Sequence, residues 1–600
     1  MEAHHENAYK KMKEQHEAVE QRRREKQKRK RDGFTQLKLH CQSTNNNLVQ
    51  IDDRLDPKMQ ARWDEAVVEL VCEAGISFEA AQKLDIVLKA IWPSGKLRVK
   101  VKSAVTISRH VKKRAVALRI DVYSLIKAAK EYTQMFGFTT DMWRSRALDS
   151  YMSLTAHYIT KTWDLIRIVP FIQYFGPNRH TGLNLKMMMD QFMRVLTIEG
   201  PEIRKIVVCD NASNNKVMMR LGEGELEEYY CCLHTIQLCI GAVFELQVLN
   251  QRLLDIVDKC NELAKFVRRS ETNKNDLFQA CRLKEISPIM PKKAIDVRWN
   301  SKEANIESIL KVKPALDHLV QTDETMSWAE KVPNAAETKV LESLEEILKH
   351  VKVSCKSWEG ETRPTIQAVI PELWNLKDIL TRKGNSRERY IAKFAKELKR
   401  LIEERFPDCG CQNLYNRTAH LLDPEYQGVI LKQYRGTYEL AREEIKQIAV
   451  RYQTFPDENS SSQSQSAEDR PDPDQNENLS AAQKLKLTQA SVGEEEVRIE
   501  NVSTSVEVEL DKFEKLKINH CSDLLTWWRD NESAFPLLSK VAREVFAVPA
   551  SSASSERCFS VGGMVSPKLK VYYLLLKINS FYRCAQPEEV ASSLKKSQTS

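Results

Sequence analysis

The 600-residue chain has little of what export or membrane residence requires. Its first ten residues, MEAHHENAYK, contain no apolar core, so no signal peptide is expected there. No uninterrupted apolar run approaches the ~20 residues that span a bilayer, which argues against a membrane partner. Its fourteen cysteines are scattered along a lysine-rich chain without an extracellular cue. That distribution favours reduced, intracellular thiols over a disulfide framework. Residues 5–32 lack proline and glycine and are almost wholly polar, which leaves a solvated helix or a disordered arm.

What is present is length and unevenly placed charge. Six hundred residues exceed one core and suggest about three to four units. The formal net charge is +9, and residues 22–31 (RRREKQKRKR) concentrate eight Lys/Arg against one Glu. Arg22, Arg23, Arg24, Lys28, Arg29, Lys30 and Arg31 read as a nuclear-import or DNA-binding patch; a charged exposed helix is the alternative. Nucleus or cytosol follows from the thiols, and the basic block favours the nucleus.

Composition and periodicity divide the chain into a basic arm (1–50), a helical domain (51–132), a mixed segment (133–250), an all-helical segment (251–453), a linker (454–509) and a C-terminal region (510–600). Val67, Val68, Leu70 and Val71 cluster at helical spacing in the second part. In the third, SYMSLTAHYIT (150–160) alternates, with Met152, Leu154, Ala156 and Tyr158 on one side and Tyr151, Ser153, Thr155 and His157 on the other. This suits a strand with two unlike faces. GFTTDMW and TWDLIRIVPFI are further candidate strands, and KIVVCD (205–210) resembles a buried one. Three strands, a helix, then alternating strand and helix make an α/β layer. The helical segment carries Val340, Leu341, Leu344, Ile347, Leu348 and Val351 on one face. Residues 455–478 hold seven acids, one base and hardly an apolar group, a composition that predicts disorder.

Two acids fall where strands are expected to end, Asp141 in FTTDMW and Asp210 in VVCDNASNN. On neighbouring strands they could share a divalent cation, since Mg²⁺ prefers oxygen ligands. Each is equally an ordinary turn former, and Asp210 could simply open a helix.

The surrounding letters are more specific, and the chain resembles a hAT-superfamily transposase. TTDMWRSRALDSYMSLTAHYI (139–159) is similar to the family's first catalytic block and VVCDNASNN (207–215) to its second. CCLHTIQL (231–238) is similar to its Cys-x-x-His block through Cys231 and His234, and DVRWNS (296–301) to its Arg-Trp element through Arg298 and Trp299. AHLLDPEYQG (419–428) resembles a landmark of the helical insertion. LLTWWRDNESAFPLLSKVAREVFAVPASSASSERCFS (524–560) resembles the C-terminal dimerisation signature. Together these blocks run from about 56 to 565.

The resemblance implies an RNase H-like catalytic domain interrupted by a large all-α insertion, with an N-terminal helical domain and a helical C-terminal dimerisation region completing the core. It puts the third acid at Glu556. It also implies Asp141, Asp210 and Glu556 as ligands of two Mg²⁺ or Mn²⁺ ions in an active enzyme. Trp299 becomes a stacking platform for an unpaired base or a buried packing residue, and Arg298 a phosphate contact. Trp527, Trp528, Phe535, Pro536, Leu537 and Phe559 fall in the dimerisation signature. Cys231 and His234 form half of a zinc site with no second half, so a structural role is expected and zinc is not supported. Relatives of the zinc finger BED branch carry an N-terminal finger. No cysteine precedes Cys41 here, so a finger is expected to be lost or missing from the sequence. The tail after Phe559-Ser560 reads as shortened.

Three functions fit. The first is a transposon-derived nuclear protein that binds DNA and dimerises, acting in transcription or chromatin. The second is an active DNA transposase that cleaves transposon ends and joins them to target DNA. The third is an interaction scaffold built on the C-terminal dimer. The altered ends of the chain place the first ahead of the second.

Overall fold

The computed structural model describes residues 57–562 apart from 75, 92–99, 146–147, 177–178, 201, 246, 295–298, 323–326, 453–504, 517–520 and 522. The basic arm, Arg298, most of the acidic linker and the tail beyond 562 lie outside the described residues, as does the Phe559 side chain. The chain divides into two compact units, one of Met1–Ala66 with Gln82–Lys102 and one of Val67–Ala81 with Ser103–Ser600. In the first, the Gln60 amide holds the Lys100 backbone from both sides: its oxygen accepts the N–H at 2.7 Å and its nitrogen donates to the carbonyl at 2.9 Å.

Among the described residues, four helices precede the sheet: α1 (Pro57–Ala74), α2 (Phe78–Gln82), α3 (Leu84–Ile91) and α4 (Ala104–Ala129). Val67, Val68 and Val71 of α1 are buried, whereas Leu70, expected beside them, is exposed. The Ser103 side chain caps α4 by accepting the Thr106 N–H. Val122, Ile126 and Ala129 of α4 join the core beneath the sheet, so this helix packs with the mixed segment rather than apart from it.

The mixed segment runs β1 (Met135–Arg144), β2 (Ser150–Ile159), β3 (Leu165–Tyr174), α5 (Gly182–Val195), β4 (Arg204–Cys209), α6 (Ser213–Leu221), β5 (Glu227–Tyr230) and α7 (Cys232–Glu245). The five strands form one sheet in the order β3-β2-β1-β4-β5. The pairs β1/β2 and β2/β3 are antiparallel, while β1/β4 and β4/β5 are parallel. Side chains alternate across the sheet. Phe136, Phe138, Val207 and Cys209 pack on one face with α4, α5 and α6, while Met135, Ile206 and Val208 pack on the other. The expected unlike faces of β2 are present: Met152, Leu154, Ala156 and Tyr158 enter the first core. Its polar face, however, is buried as fully as its apolar one.

The helical segment follows as α8 (Gln247–Arg269), α9 (Glu271–Leu283), α10 (Trp299–Lys311), α11 (Lys313–Thr322), α12 (Ser327–Lys331), α13 (Ala335–Trp358), α14 (Val369–Gly384), α15 (Arg389–Arg405), α16 (Leu414–Leu422) and α17 (Thr437–Arg451). A reciprocal capping box between Asn334 and Glu337 opens α13, and its six apolar positions predicted from spacing are all buried.

The description resumes with a helix over 505–514 (α18), which already covers residues before the expected boundary at 510. Then come α19 (Leu524–Asn531), α20 (Pro536–Val545) and α21 (Ala553–Gly562). Glu509 of α18 accepts the Leu537 and Leu538 N–H groups at 3.0 and 2.9 Å, supplying the first turn of α20 with partners it lacks. Among the described residues, no helix is long and apolar enough to cross a membrane.

Candidate functional site

Register brings the first two acids together. In the parallel pair, Thr139 of β1 lies opposite Val208 of β4. Two residues further along both strands stand Asp141 and Asp210, level with each other and on the same face, because side chains repeat with period two. Asp210 lies one residue past β4, where its Oδ1 accepts the Ala212 N–H at 3.0 Å and the Asn215 amide at 2.6 Å. This turn former therefore also fixes its carboxylate over the sheet edge. Asp141 Oδ1 accepts the Met142 N–H at 2.8 Å.

The third acid arrives from the far end of the chain. After α20 the backbone turns across the sheet, so close to β1 that a Cβ on Gly137 would stand 2.8 Å from the Ala547 carbonyl. The Ala550 carbonyl accepts the Cys232 N–H at 3.0 Å, and its N–H donates to Thr365 Oγ1 at 3.0 Å. Ser551 Oγ donates to the Trp358 carbonyl at 2.9 Å, and the Ser552 N–H to Cys231 Sγ at 3.3 Å. The run of small residues is thus a clamped, buried passage held by the sheet, by α7 and by the end of α13. It delivers Glu556 in the first turn of α21.

Asp141, Asp210 and Glu556 line one cavity of about 790 Å³. His234, Trp299 and Lys302 share its wall. Burial first, then the Glu556 charge and more weakly Asp210, raise the Asp141 carboxyl to about 7 against the opposing Met142 hydrogen bond. Burial and the Glu556 charge likewise raise Glu359, against Arg557. Three oxygen donors of this kind suit Mg²⁺ or Mn²⁺ in chemistry. In spacing they do not close around an ion: among the described residues, no three His, Cys, Asp or Glu side chains are arranged to hold a metal.

Beneath the acids runs a buried polar chain that sequence reasoning missed. Ser555 Oγ and Thr139 Oγ1 are 2.6 Å apart; Thr139 bonds in turn to Thr155, and Thr155 Oγ1 lies 2.7 Å from His157 Nε2. Complete burial, aided by Arg167 and Arg557, holds the His157 imidazole neutral. The alternation of Ser153, Thr155 and His157 was the visible signal; the segment that covers them lies four hundred residues away.

The other expected residues are placed as follows. Trp299 is buried in the helical core yet lines the carboxylate cavity, and among the described residues its Nε1–H has no partner. Cys231 is fully buried, its sulfur accepting the backbone N–H groups of Ser552 and His234, which is a structural post. Trp528 and Phe535 of the dimerisation signature are buried in the chain's own core, where Trp528 stacks 5.5 Å from Phe513. Trp527 and Leu537 are half-buried, and Pro536 is exposed.

Comparison with known proteins bears on both halves of this arrangement. Residues 139–231, from β1 to the start of α7, match the ZBED1 RNase-like domain. Residues 507–571 match the hAT family C-terminal dimerisation region. A relative from Zea mays called putative AC transposase is 25% identical over 490 residues, covering 78% of this chain and 58% of its own length. Zinc finger BED domain-containing protein RICESLEEPER 2 of Oryza sativa subsp. japonica is 22% identical over 74% of this chain and 64% of its own length. The zinc finger BED domain-containing protein DAYSLEEPER of Arabidopsis thaliana is 20% identical, over 73% and 61%. The chain therefore spans less than two thirds of the length of these relatives.

The chain thus carries both an RNase-like match and a hAT dimerisation-region match. In these two regions, and along most of its length, the chain is similar to hAT-family transposases and to zinc finger BED domain-containing proteins.

Proposed function

We propose that this chain is a transposon-derived nuclear protein that binds DNA and self-associates through its C-terminal hAT region, acting in transcription or chromatin. On this reading the sheet and α21 form an RNase H-like core, and α8–α17 are its all-helical insertion. The observation that carries it is the union of the two matched regions in one body: the segment 547–556 is bonded to β1, α7 and α13. The C-terminal region therefore positions the carboxylate cavity directly within the chain. The basic block at 22–31 adds salt-sensitive, sequence-independent attraction to phosphates. Light scattering with fluorescence anisotropy tests the reading: a dimer that binds duplex DNA supports it, and a monomer without DNA affinity contradicts it.

A second reading is favoured by one observation, the three carboxylates on one cavity. It is an active DNA transposase in which Asp141, Asp210 and Glu556 would hold Mg²⁺ or Mn²⁺, which requires the three side chains to close from the spacing they have here. Two such ions, when bound, supply an activated nucleophile and a stabilised leaving oxygen. Incubation with Mn²⁺ and labelled transposon-end DNA separates the readings. Nicking that Asp210→Ala abolishes supports the enzyme; intact DNA supports the non-catalytic protein.

A further inference from the structure

Asp210 and Asn211 are consecutive but face different cavities. Asp210 and His234 line the carboxylate cavity, whereas Asn211 and Thr235 line a second cavity of about 270 Å³. The two share a wall made by the turn after β4 and the first turn of α7. Asn211 Nδ2 staples that wall by donating to Thr235 Oγ1 at 2.9 Å.

The second cavity has the opposite electrostatic character. No Asp or Glu lines it, and two cations do: Lys216 from α6 and Arg405 from the end of α15. Among the described residues neither forms an ion pair with a carboxylate. The Lys216 ammonium stands 5.7 Å from the centroid of the half-buried Tyr230 ring. The floor is already satisfied and rigid. Tyr229 donates to Asn416 Oδ1 at 2.8 Å, and Asn416 Nδ2 donates to the Gly410 carbonyl at 3.1 Å. The unspent chemistry is therefore two positive charges and one aromatic face. That combination suits a phosphate with a planar base beside it. The volume lies at the small end of ligand pockets, which run from about 300 Å³ upward, and fits one nucleotide rather than a stretch of strand.

The neighbouring cavity explains why such a subsite is needed. Five acids line that cavity, Asp141, Asp210, Glu245, Glu359 and Glu556, and together repel a phosphodiester. Of its two cations, Arg557 is committed to Glu361 and the Glu359 carbonyl, and Lys302 stands over the Phe244 ring, 4.7 Å from its centroid. A strand lying over Asp141 and Asp210 needs cations next door to hold it.

We infer that the cavity of Asn211, Lys216, Tyr230 and Arg405 is a nucleotide subsite for a DNA strand. Lys216 and Arg405 take a phosphate adjoining the one at the carboxylate cavity, and Tyr230 takes the face of a base. The inference rests on the DNA-binding reading above.

The test is fluorescence anisotropy of the full chain with a labelled single-stranded oligonucleotide of mixed sequence, titrated at several salt concentrations. Each single-strand phosphate contact contributes about 0.7 to the slope of log K against log salt. The double variant Lys216→Gln/Arg405→Gln, which gives up that one phosphate, should lower the slope by about 0.7 and weaken binding roughly tenfold or more at 0.1 M salt. Tyr230→Leu should weaken binding about fivefold or more with the slope unchanged, since stacking releases no counterions. Lys112→Gln/Lys113→Gln, on the exposed face of α4, removes the same charge from outside both cavities and should leave the slope in place. Circular dichroism confirms that each variant is folded. A Lys216/Arg405 variant with the wild-type slope, or one matched by the α4 control, overturns the subsite while DNA binding stands. A wild-type chain that binds no DNA overturns both.

Discussion

Thr139 in the middle of β1 and Ser555 in α21 share a hydrogen bond of 2.6 Å between side-chain oxygens, although 416 residues separate them. Ser555 is the residue before Glu556, and Thr139 lies two before Asp141. One buried contact thus sets the third acid against the first. Thr139→Val keeps shape but strips the bond from both Ser555 and Thr155. A buried polar group left unpaired costs about 1–3 kcal/mol. Thermal or urea unfolding of the variant should show a loss in that range, and a stability equal to wild type would contradict the contact.

Asp141 gives the site a pH signature. Its carboxyl is raised to about 7 from an ordinary 3.8, so between those values the folded chain holds a proton that the unfolded chain has released. Stability from this group is fully present below pH 3.8 and is lost as pH rises through 7. Asp141→Asn removes the titration, and the variant should be the more stable protein at pH 8, by an amount on the order of a few kcal/mol. The gap should narrow towards pH 5 and close only below pH 3.8. Melting curves at the two pH values check this; a gap that does not depend on pH would refute it.

Trp528 separates folding from assembly. It is wholly buried and packs on Trp163, Phe513, Trp527 and Phe535 within its own chain. Truncating a buried Trp costs about 3–5 kcal/mol. Trp528→Ala should therefore lower the unfolding midpoint of the chain at every concentration. A variant that only dissociates dimers, with unchanged monomer stability, would return Trp528 to the interface.

Cys231 predicts the outcome of metal removal. Its sulfur accepts two backbone N–H groups and sits in no metal-ligating cluster among the described residues. Extended treatment with a zinc chelator should leave the melting temperature unchanged. Cys231→Ala should lower it through loss of the Ser552 contact. Chelator-induced unfolding would show that the thiol holds zinc.

Much of the layer was legible because local patterns carry it. The alternation over 150–160, the apolar run at 205–209 and the spacing over 340–351 each depend on neighbours in sequence, and β2, β4 and α13 formed there. Strand order and the parallel register of Thr139 with Val208 were not legible, since they depend on how crossovers pack. The polar face of β2 read as one of two unlike faces, and nothing local shows that residues 547–556 cover it. Trp528 and Phe535 matched a dimerisation signature, but a signature does not distinguish residues that build the surface from those that hold it up. The cavity at Lys216 and Arg405 joins α6 to the end of α15, and no spacing rule links positions so far apart.

The most direct test of the central claim is multi-angle light scattering of the full chain, alone and with a labelled DNA duplex. The chain weighs 69.2 kDa. A particle of twice that mass that carries the DNA with it is the predicted result. A particle of 69.2 kDa at all concentrations, eluting apart from the DNA, would contradict a DNA-binding dimer.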